Sequence, residues 1–154
     1  MVLTKEEVDR RVALLKRLKT TLLAQREKFR NYMLVLDAEK SSIENDKVDT
    51  LRLQVELEEN LVAEIHTFQK VIDPLEAVWK QSYPLDHDVE VVELKATLAN
   101  LKSQVLEKNE KNRTLLSARM AQVQGEILRL RPNVRGRNPY TGQRSVSTLV
   151  DITT

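Results

Sequence analysis

The chain has 154 residues and no cysteine, so disulfide bonds and thiolate chemistry are excluded. Aromatic residues make up 4% of the chain, and a core therefore has to be built almost wholly from Leu, Val and Ile. Few glycines and prolines and a charged fraction of 31% are typical of long helices and coiled coils. The predicted fold class is all-α.

The charged residues fall into three blocks. Residues 1–36 carry a net charge of +5, residues 37–93 carry −10 and residues 94–154 carry +7. This order favours an antiparallel return of the chain, with the acidic middle lying between two basic arms. No apolar run approaches the ~18 residues that span a bilayer, and the N-terminus lacks the apolar region of a signal peptide. We expect a cytoplasmic protein without membrane insertion.

The first predicted helix begins at Lys5. Thr4 and Glu7 form a capping box, in which each side chain accepts a hydrogen bond from the other residue's backbone amide. Apolar residues then recur three, four or seven positions apart, with no glycine or proline before Pro74. This heptad-like seam consists of Val8, Val12, Leu15, Leu18, Leu22, Phe29, Met33, Leu36 and Ile43.

The sequence SSIEND at 41–46 interrupts that seam with poor helix formers. We expect a break, kink or short turn at 44–46, with Asp46 as the N-cap of a second helix that opens at Lys47. A first helix that continues through this stretch is the alternative, since Ser, Asn and Asp each cost only about 0.5–0.7 kcal/mol in a helix interior.

The second helix carries a wide apolar face. Proline lacks a backbone donor, so Asp73 and Pro74 are expected to interrupt this helix, with Asp73 capping a further short helical turn through Trp79. Trp79, the single tryptophan, is expected to close the end of a bundle. The apolar face comprises Leu51, Val55, Leu57, Leu61, Val62, Ile65, Phe68 and Ile72.

Residues 81–88 have turn chemistry and no periodicity, so we predict that they form the loop that reverses the chain. Asp86 or Asp88 would then cap the last helix. The seam of that helix meets Lys108 and Asn112 at positions where apolar residues are due. It consists of Val91, Leu94, Leu98, Leu101 and Val105 before the interruption, and of Leu116, Met120, Val123, Ile127 and Leu130 after it.

Asn109 and Asn112 lie beside this interruption and have two interpretations. A polar side chain at a core position fixes the register of a bundle at some cost in stability. Alternatively, the interruption marks a groove that faces a partner. Periodicity alone does not distinguish the two.

After Leu130 the helical pattern gives way to an arginine-rich stretch that contains two prolines and two glycines. We therefore divide the chain into a helical bundle domain at 1–130 and a flexible basic tail at 131–154. The tail carries enough arginine for non-specific affinity to nucleic acid, but it lacks the interleaved aromatic residues of a single-strand binder. Nucleic acid is not an expected partner.

No motif in the sequence indicates catalysis. A phosphate-binding glycine loop, an HExxH pair and a nucleophile elbow are all absent, and His66 and His87 have no cysteine or strained serine to activate. The sequence DHD at 86–88 fits a helix-capping loop better than a metal site. We expect neither an enzyme nor a cofactor, metal or small-molecule substrate.

Three segments carry a family likeness. EKNEKN at 107–112 is followed by two leucines, roughly four further helical turns and then YTG at 140–142. Upstream, a basic first helix leads into IENDKVDTL at 43–51. Together these segments resemble the FlgN family of flagellar type III export chaperones, whose second helix starts at an Asp in the corresponding junction.

This resemblance implies a cytoplasmic all-helical chaperone that binds the C-terminal segments of the hook–filament junction proteins, FlgK and FlgL. Such a chaperone prevents premature assembly of its cargo and delivers it to the export gate protein FlhA. The resemblance places gate binding on Tyr140 in the tail and cargo binding on the last helix. The implied cargo-binding residues are Asn112, Leu115, Leu116, Met120, Val123 and Ile127.

A helix-in-groove complex needs an amphipathic helix whose apolar stripe the bundle does not fully bury, and the interrupted seam predicts such a helix. The alternative function is a structural coiled-coil adaptor that self-associates through the near-continuous seam of the first helix. The sequence leaves open whether the protein forms a homodimer.

Overall fold

The computed structural model describes residues 2–83 and 88–130, which form three long helices. These are α1 (Lys5–Glu44), α2 (Val48–Ser82) and α3 (Val89–Leu130). The predicted fold class, an all-α bundle of three long helices, is confirmed. None of the three described helices has an apolar stretch that would let it cross a bilayer. The predicted flexible tail, with Tyr140, lies outside the described residues, as do Asp86 and His87.

The N-terminus of α1 follows the predicted capping box. The Thr4 amide donates to Glu7 Oε2 at 2.9 Å, and the Glu7 amide donates to Thr4 Oγ1 at 3.2 Å. Two amides that the first helical turn leaves without backbone acceptors are thereby satisfied. The predicted start at Lys5 is confirmed.

The predicted break between the first two helices is confirmed, but Asp46 does not cap α2. The Lys47 amide donates to Ser42 O at 2.9 Å and the Asp46 amide donates to Ile43 O at 3.4 Å, the bonding pattern of a Schellman C-cap on α1. Asp46 accordingly adopts a left-handed backbone with φ of 57°. The first intrahelical bond of α2 runs from the Leu51 amide to Lys47 O, so Lys47 occupies the N-cap.

The predicted interruption of the second helix at Pro74 is wrong, because α2 is continuous through it. Proline in a helix interior costs about 3 kcal/mol. Ile72, Leu75 and Trp79 are buried on the inner face at and beyond the proline, and each such side chain contributes about 1.5–3 kcal/mol when fully buried. Packing therefore offsets the lost hydrogen bond. The Asp73 carboxylate accepts from Gln69 Nε2 at 2.6 Å and does not cap a new helix.

Asp88, one of the two predicted N-caps, begins the last helix. Asp88 Oδ1 accepts from the Val91 amide at 3.1 Å, and Asp88 O accepts from the Val92 amide at 3.1 Å. Asp88 is therefore the N-cap of α3. Lys19 of α1 forms ion pairs with Asp88 at 3.2 Å and with Glu90 at 3.0 Å, so the start of α3 is attached to α1.

The three helices contribute to two compact units. Residues 2–32, 60–83 and 88–104 make up the first unit. Its core is apolar, with one buried amide, Gln25, whose Nε2 donates to Ile65 O at 3.3 Å and to Gln69 Oε1 at 3.0 Å. The Arg11 guanidinium carbon lies 5.8 Å from the ring centroid of Trp79 and 5.0 Å from that of Tyr83. The buried apolar residues are Leu18, Leu22, Phe29, Tyr32, Leu61, Ile72, Leu75, Trp79, Leu94 and Leu98.

Residues 33–59 and 105–130 make up the second unit. Here α1 and α3 run in the same direction, because Asp37 pairs with Lys108 at 2.6 Å and Asp46 pairs with Arg119 further along both helices. The short turn after Glu44 makes α2 antiparallel to α1. The core of this unit is mixed. Its buried residues are Val35, Leu36, Ile43 and Val105, together with the polar Glu39, Ser42, Glu58, Asn109 and Asn112.

Candidate functional site

The predicted apolar cargo-binding residues all lie on α3 in the second unit, and none of them is fully covered. We call them the α3 stripe: the last four lie three to four residues apart in a row on one side of the helix, and Leu115 flanks that row. A core residue of this bundle loses nearly all its exposure, whereas each residue of the stripe keeps an intermediate share. The α3 stripe comprises Leu115, Leu116, Met120, Val123 and Ile127.

The C-terminal part of α3 extends past the turn that joins α1 to α2. Arg119 lies level with that turn, since its Nε donates to Asp46 Oδ1 at 2.7 Å and its Nη2 to Asp46 Oδ2. This bidentate pair holds the pKa of Asp46 below its usual value. From Arg119 the helix continues for eleven residues to Leu130, or about 16 Å at 1.5 Å per residue. We call this segment, residues 119–130, the overhang, because α1 ends at Glu44 and α2 begins at Val48, both next to Asp46.

Exposure along the overhang rises toward its end. Leu128 is 63% exposed and Leu130 is 82% exposed. A Cβ added at Gly125 would meet no heavy atom within 4 Å, so the helix has open space beside it at that position as well. The overhang therefore presents apolar side chains on a preformed helix.

Asn112, the one polar residue among the predicted cargo-binding residues, is buried. It is 3% exposed, and its Nδ2 donates to Leu36 O of α1 at 2.9 Å. Asn109 is buried as well. Of the two interpretations of these asparagines, register control fits this geometry, because the Asn112 amide joins α3 to the backbone of α1. Contact between Asn112 and a cargo would require α3 to move.

Asn112 belongs to a buried group to which each helix of the second unit contributes one polar side chain. Glu39 of α1 and Glu58 of α2 are both 0% exposed, and the Glu39 carboxyl faces Glu58 and Asn112. We call Glu39, Glu58 and Asn112 the polar layer. Burial and the neighbouring carboxyl of Glu58 raise the pKa of Glu39 to about 9, against the opposing effect of Asn112. Burial therefore favours a proton on the Glu39–Glu58 pair.

The sequence contained a signal for the polar layer that an apolar pattern search overlooks. Eight buried positions of α1 recur at intervals of four and three, and polar residues occupy two of these eight, Gln25 and Glu39. Val35 and Ser42 are buried beside this repeat. Continuing the heptad through polar residues would have identified Gln25 and Glu39. The full set of buried positions in this repeat is Leu18, Leu22, Gln25, Phe29, Tyr32, Leu36, Glu39 and Ile43.

Other chemistry-bearing residues are not assembled into a site in the part of the chain that the structure describes. His66 is exposed on α2. Within residues 2–83 and 88–130, no group of three or more His, Asp or Glu side chains is placed to hold a metal ion. The features that remain as functional candidates are the α3 stripe and the polar layer that precedes it.

These features define a three-helix bundle protein with a protruding, partly uncovered C-terminal helix. No protein-family model matches the chain, and no solved structure matches it. A protein of Treponema pallidum (strain Nichols), described as uncharacterized, is 37% identical to it over 147 residues, which is 96% of this chain and 94% of the relative. The chain belongs to the same family as this Treponema protein, a relationship that does not itself assign a function.

Proposed function

We propose that the protein is a flagellar export chaperone of the FlgN type, which binds the C-terminal segments of the hook–filament junction proteins FlgK and FlgL. The observation that carries this proposal is the α3 stripe, whose apolar side chains are half covered and continue into an overhang. A chaperone of this kind keeps its cargo unassembled by covering the apolar face that the cargo uses for assembly.

The physical basis is burial of apolar surface between two amphipathic helices. Every 100 Å² of apolar surface that cargo removes from water contributes about 2.5 kcal/mol before the entropy of association is subtracted. The overhang is already helical, so the chaperone side loses little conformational entropy on binding. Met120 adds a flexible side chain that repacks easily around different partners.

Paired aspartate substitutions test the binding site. The variant Leu116→Asp, Val123→Asp introduces two charges into the stripe, and binding of a C-terminal junction-protein peptide should weaken at least tenfold in isothermal titration calorimetry. The matched control is Ala118→Asp, Gln122→Asp, which places the same two charges on exposed positions of the same helix. Both variants should keep wild-type helicity by circular dichroism. Equal affinity of the stripe variant and the control would overturn the site assignment.

Delivery to the export gate is a separate part of the proposal, and we assign gate binding to Tyr140. A Tyr140→Ala variant should bind junction-protein peptide with unchanged affinity and lose binding to the cytoplasmic domain of FlhA. Loss of both activities, or of neither, would contradict a role for Tyr140 confined to the gate.

A self-associating coiled-coil adaptor is the second candidate. Val8 is 41% exposed and Val12 is 59% exposed, so the N-terminal end of the α1 seam is available to another helix. From Leu18 to Ile43 that seam is buried within the chain itself, except for Met33, which is partly exposed. Sedimentation equilibrium separates the two functions: a monomer at all concentrations supports the chaperone, and a dimer whose melting temperature rises with concentration supports the adaptor.

A further inference from the structure

The apolar residues of the α3 stripe select a partner helix by shape, and the charges beside them decide which helices of similar shape bind. On the overhang itself these charges nearly cancel. Arg119 is bound to the Asp46 carboxylate, and the other two charged residues are Glu126, which is acidic, and Arg129, which is basic. The overhang alone therefore favours neither an acidic nor a basic partner.

The stretch of chain that follows the overhang is strongly basic. It contains a single acidic residue, Asp151, in its last 24 residues. Its basic residues are Arg131, Arg135, Arg137 and Arg144. Arg131 is bonded directly to Leu130, which is 82% exposed. A chain advances at most about 3.6 Å per residue, so the Cα atoms of the first three arginines are within about 25 Å of Leu130.

Compensation of the helix dipole explains only part of this positive charge. The C-terminal end of a helix carries a partial negative charge whose effect is confined to about the last turn. Arg129 already supplies a basic residue in the last turn of α3. Pro132 disfavours continuation of the helix, so Arg135 and Arg137 lie beyond the range of the dipole effect. They need another negatively charged group.

We propose that the α3 stripe binds an amphipathic helix that carries acidic residues beside its apolar face, and that the arginines after Leu130 select this helix by charge. This inference rests on the proposed function, which supplies a helical cargo for the stripe. Burial of apolar surface holds the helix, while charges at the rim of the interface speed association and disfavour basic helices of the same shape. Such charge pairs are exposed to solvent and are therefore weakened by salt.

Three designed peptides of about 18 residues, long enough to form a helix, test this preference against the full chain. The acidic peptide has leucines at the spacing of the stripe and glutamates beside them. The basic peptide has lysine in place of glutamate, and the third peptide keeps the glutamates but has serine in place of leucine. In fluorescence anisotropy at about 50 mM salt the acidic peptide should bind about tenfold more tightly than the basic one, and at about 500 mM this ratio should approach one. The serine peptide should not bind.

Replacement of three arginines locates the charge that is responsible. A full-length chain with Arg131→Gln, Arg135→Gln and Arg137→Gln should bind the acidic and the basic leucine peptides equally, because it has lost the charges that distinguish them. The matched control is a chain with Arg10→Gln, Arg17→Gln and Arg30→Gln, which removes the same charge from exposed positions of α1. The control should keep the tenfold preference.

The possible failures are distinguishable. Equal affinity of the acidic and basic leucine peptides for the wild-type chain would overturn the charge preference and leave the α3 stripe as a binding site. A preference that survives in the triple variant of the arginines after Leu130, or that is lost in the α1 control, would also overturn it. Binding of the serine peptide as tightly as the acidic leucine peptide would show attraction of any polyanion and would overturn the selection of a helix. Binding of neither leucine peptide would overturn the proposed function together with this inference.

Discussion

The cores of the two units are built from different residues. Among the described residues, ten buried apolar side chains and one buried polar side chain fill the first unit, whereas four apolar and five polar side chains fill the second. The same three helices supply both cores. The periodicity of burial therefore continues along each helix while its chemistry changes.

The apolar core of the first unit favours stability, whereas the polar core of the second unit favours specific packing. A fully buried leucine contributes about 1.5–3 kcal/mol, while buried polar groups gain little beyond the cost of removing them from water. Polar core positions instead define which residues face each other, as a buried asparagine does in a coiled coil. We expect the first unit to provide most of the stability, and the second to set the register and leave the α3 stripe partly exposed.

The largest expected effect comes from truncating the apolar core of the first unit. Leu22 is 2% exposed and its neighbour Leu23 is 40% exposed, so the two leucines form a matched pair. Leu22→Ala should lower the free energy of unfolding by about 3–5 kcal/mol in urea denaturation, through lost burial and a residual cavity. Leu23→Ala should lower it by less than about 1 kcal/mol. Similar losses for both variants would remove the distinction between core and surface on which the comparison rests.

The second prediction concerns pH and the polar layer. Between the ordinary pKa of about 4.5 and the raised pKa of about 9, the folded state holds the Glu39 proton and the unfolded state does not. Rising pH therefore favours unfolding, by up to about 1.4 kcal/mol per pH unit, and the effect is complete above pH 9. Urea denaturation of the wild-type chain between pH 6 and pH 9 should show this decline.

Glu39→Gln removes the titrating group and should therefore remove the decline of the free energy of unfolding with rising pH. Glutamine fills the same space without a carboxyl that must stay protonated, so the variant should be more stable than wild type by roughly 1–3 kcal/mol at pH 8. Glu44→Gln, at an exposed position of α1, is the control and should retain the wild-type slope. A wild-type stability that is flat across this pH range would show that Glu39 is ionised in the folded protein.

The third prediction tests the turn of the second unit. Asp46 adopts φ of 57°, a conformation that glycine tolerates and β-branched residues do not. Asp46→Gly and Asp46→Val both remove the contact with Arg119, so the difference between them isolates the backbone. The valine variant should unfold with a free energy about 1–2 kcal/mol lower than the glycine variant, measured by thermal denaturation. Equal stability would mean that the turn changes conformation to relieve the strain.

The smallest effect is expected at the first turn of α1. Thr4→Ala removes one side of the capping box and should cost about 1 kcal/mol or less. Thr67→Ala is the control, because the Thr67 hydroxyl donates to Ala63 O within α2 and is not part of a helix cap. Amide exchange should accelerate in the first turn of α1 and stay unchanged in the second unit. Faster exchange in the second unit would indicate that the two cores are more strongly coupled than their compositions suggest.

Local interactions between near neighbours were predictable from the sequence. The capping box of Thr4 and Glu7, the break after Glu44 and the N-cap at Asp88 each involve residues within a few positions of one another. Their free energies do not depend on which helices later pack together. The all-α class followed from composition and periodicity for the same reason.

Asp46 and Pro74 illustrate what those local rules miss. Asp is favoured at an N-cap, yet Asp46 forms the left-handed C-cap of α1 and binds Arg119, a residue 73 positions away. Proline disfavours a helix interior, yet buried residues on both sides of Pro74 keep α2 continuous. At Pro74, long-range packing outweighs a local preference of about 3 kcal/mol. At Asp46, the C-cap of α1 competes with the N-cap of α2, and the contact with Arg119 adds to the C-cap.

The sequence by itself determined that this chain forms three amphipathic helices, where the first begins, that Asp86 or Asp88 caps the third, and that an apolar stripe runs along the end of the third. Tertiary structure decided the rest, because burial is a property of neighbours that sequence spacing does not identify. It placed Asn112 inside the core beside Glu39 and Glu58, and it left the α3 stripe half covered beyond the turn. A glutamate at a given heptad position is buried in the core or exposed to solvent according to which side chains surround it.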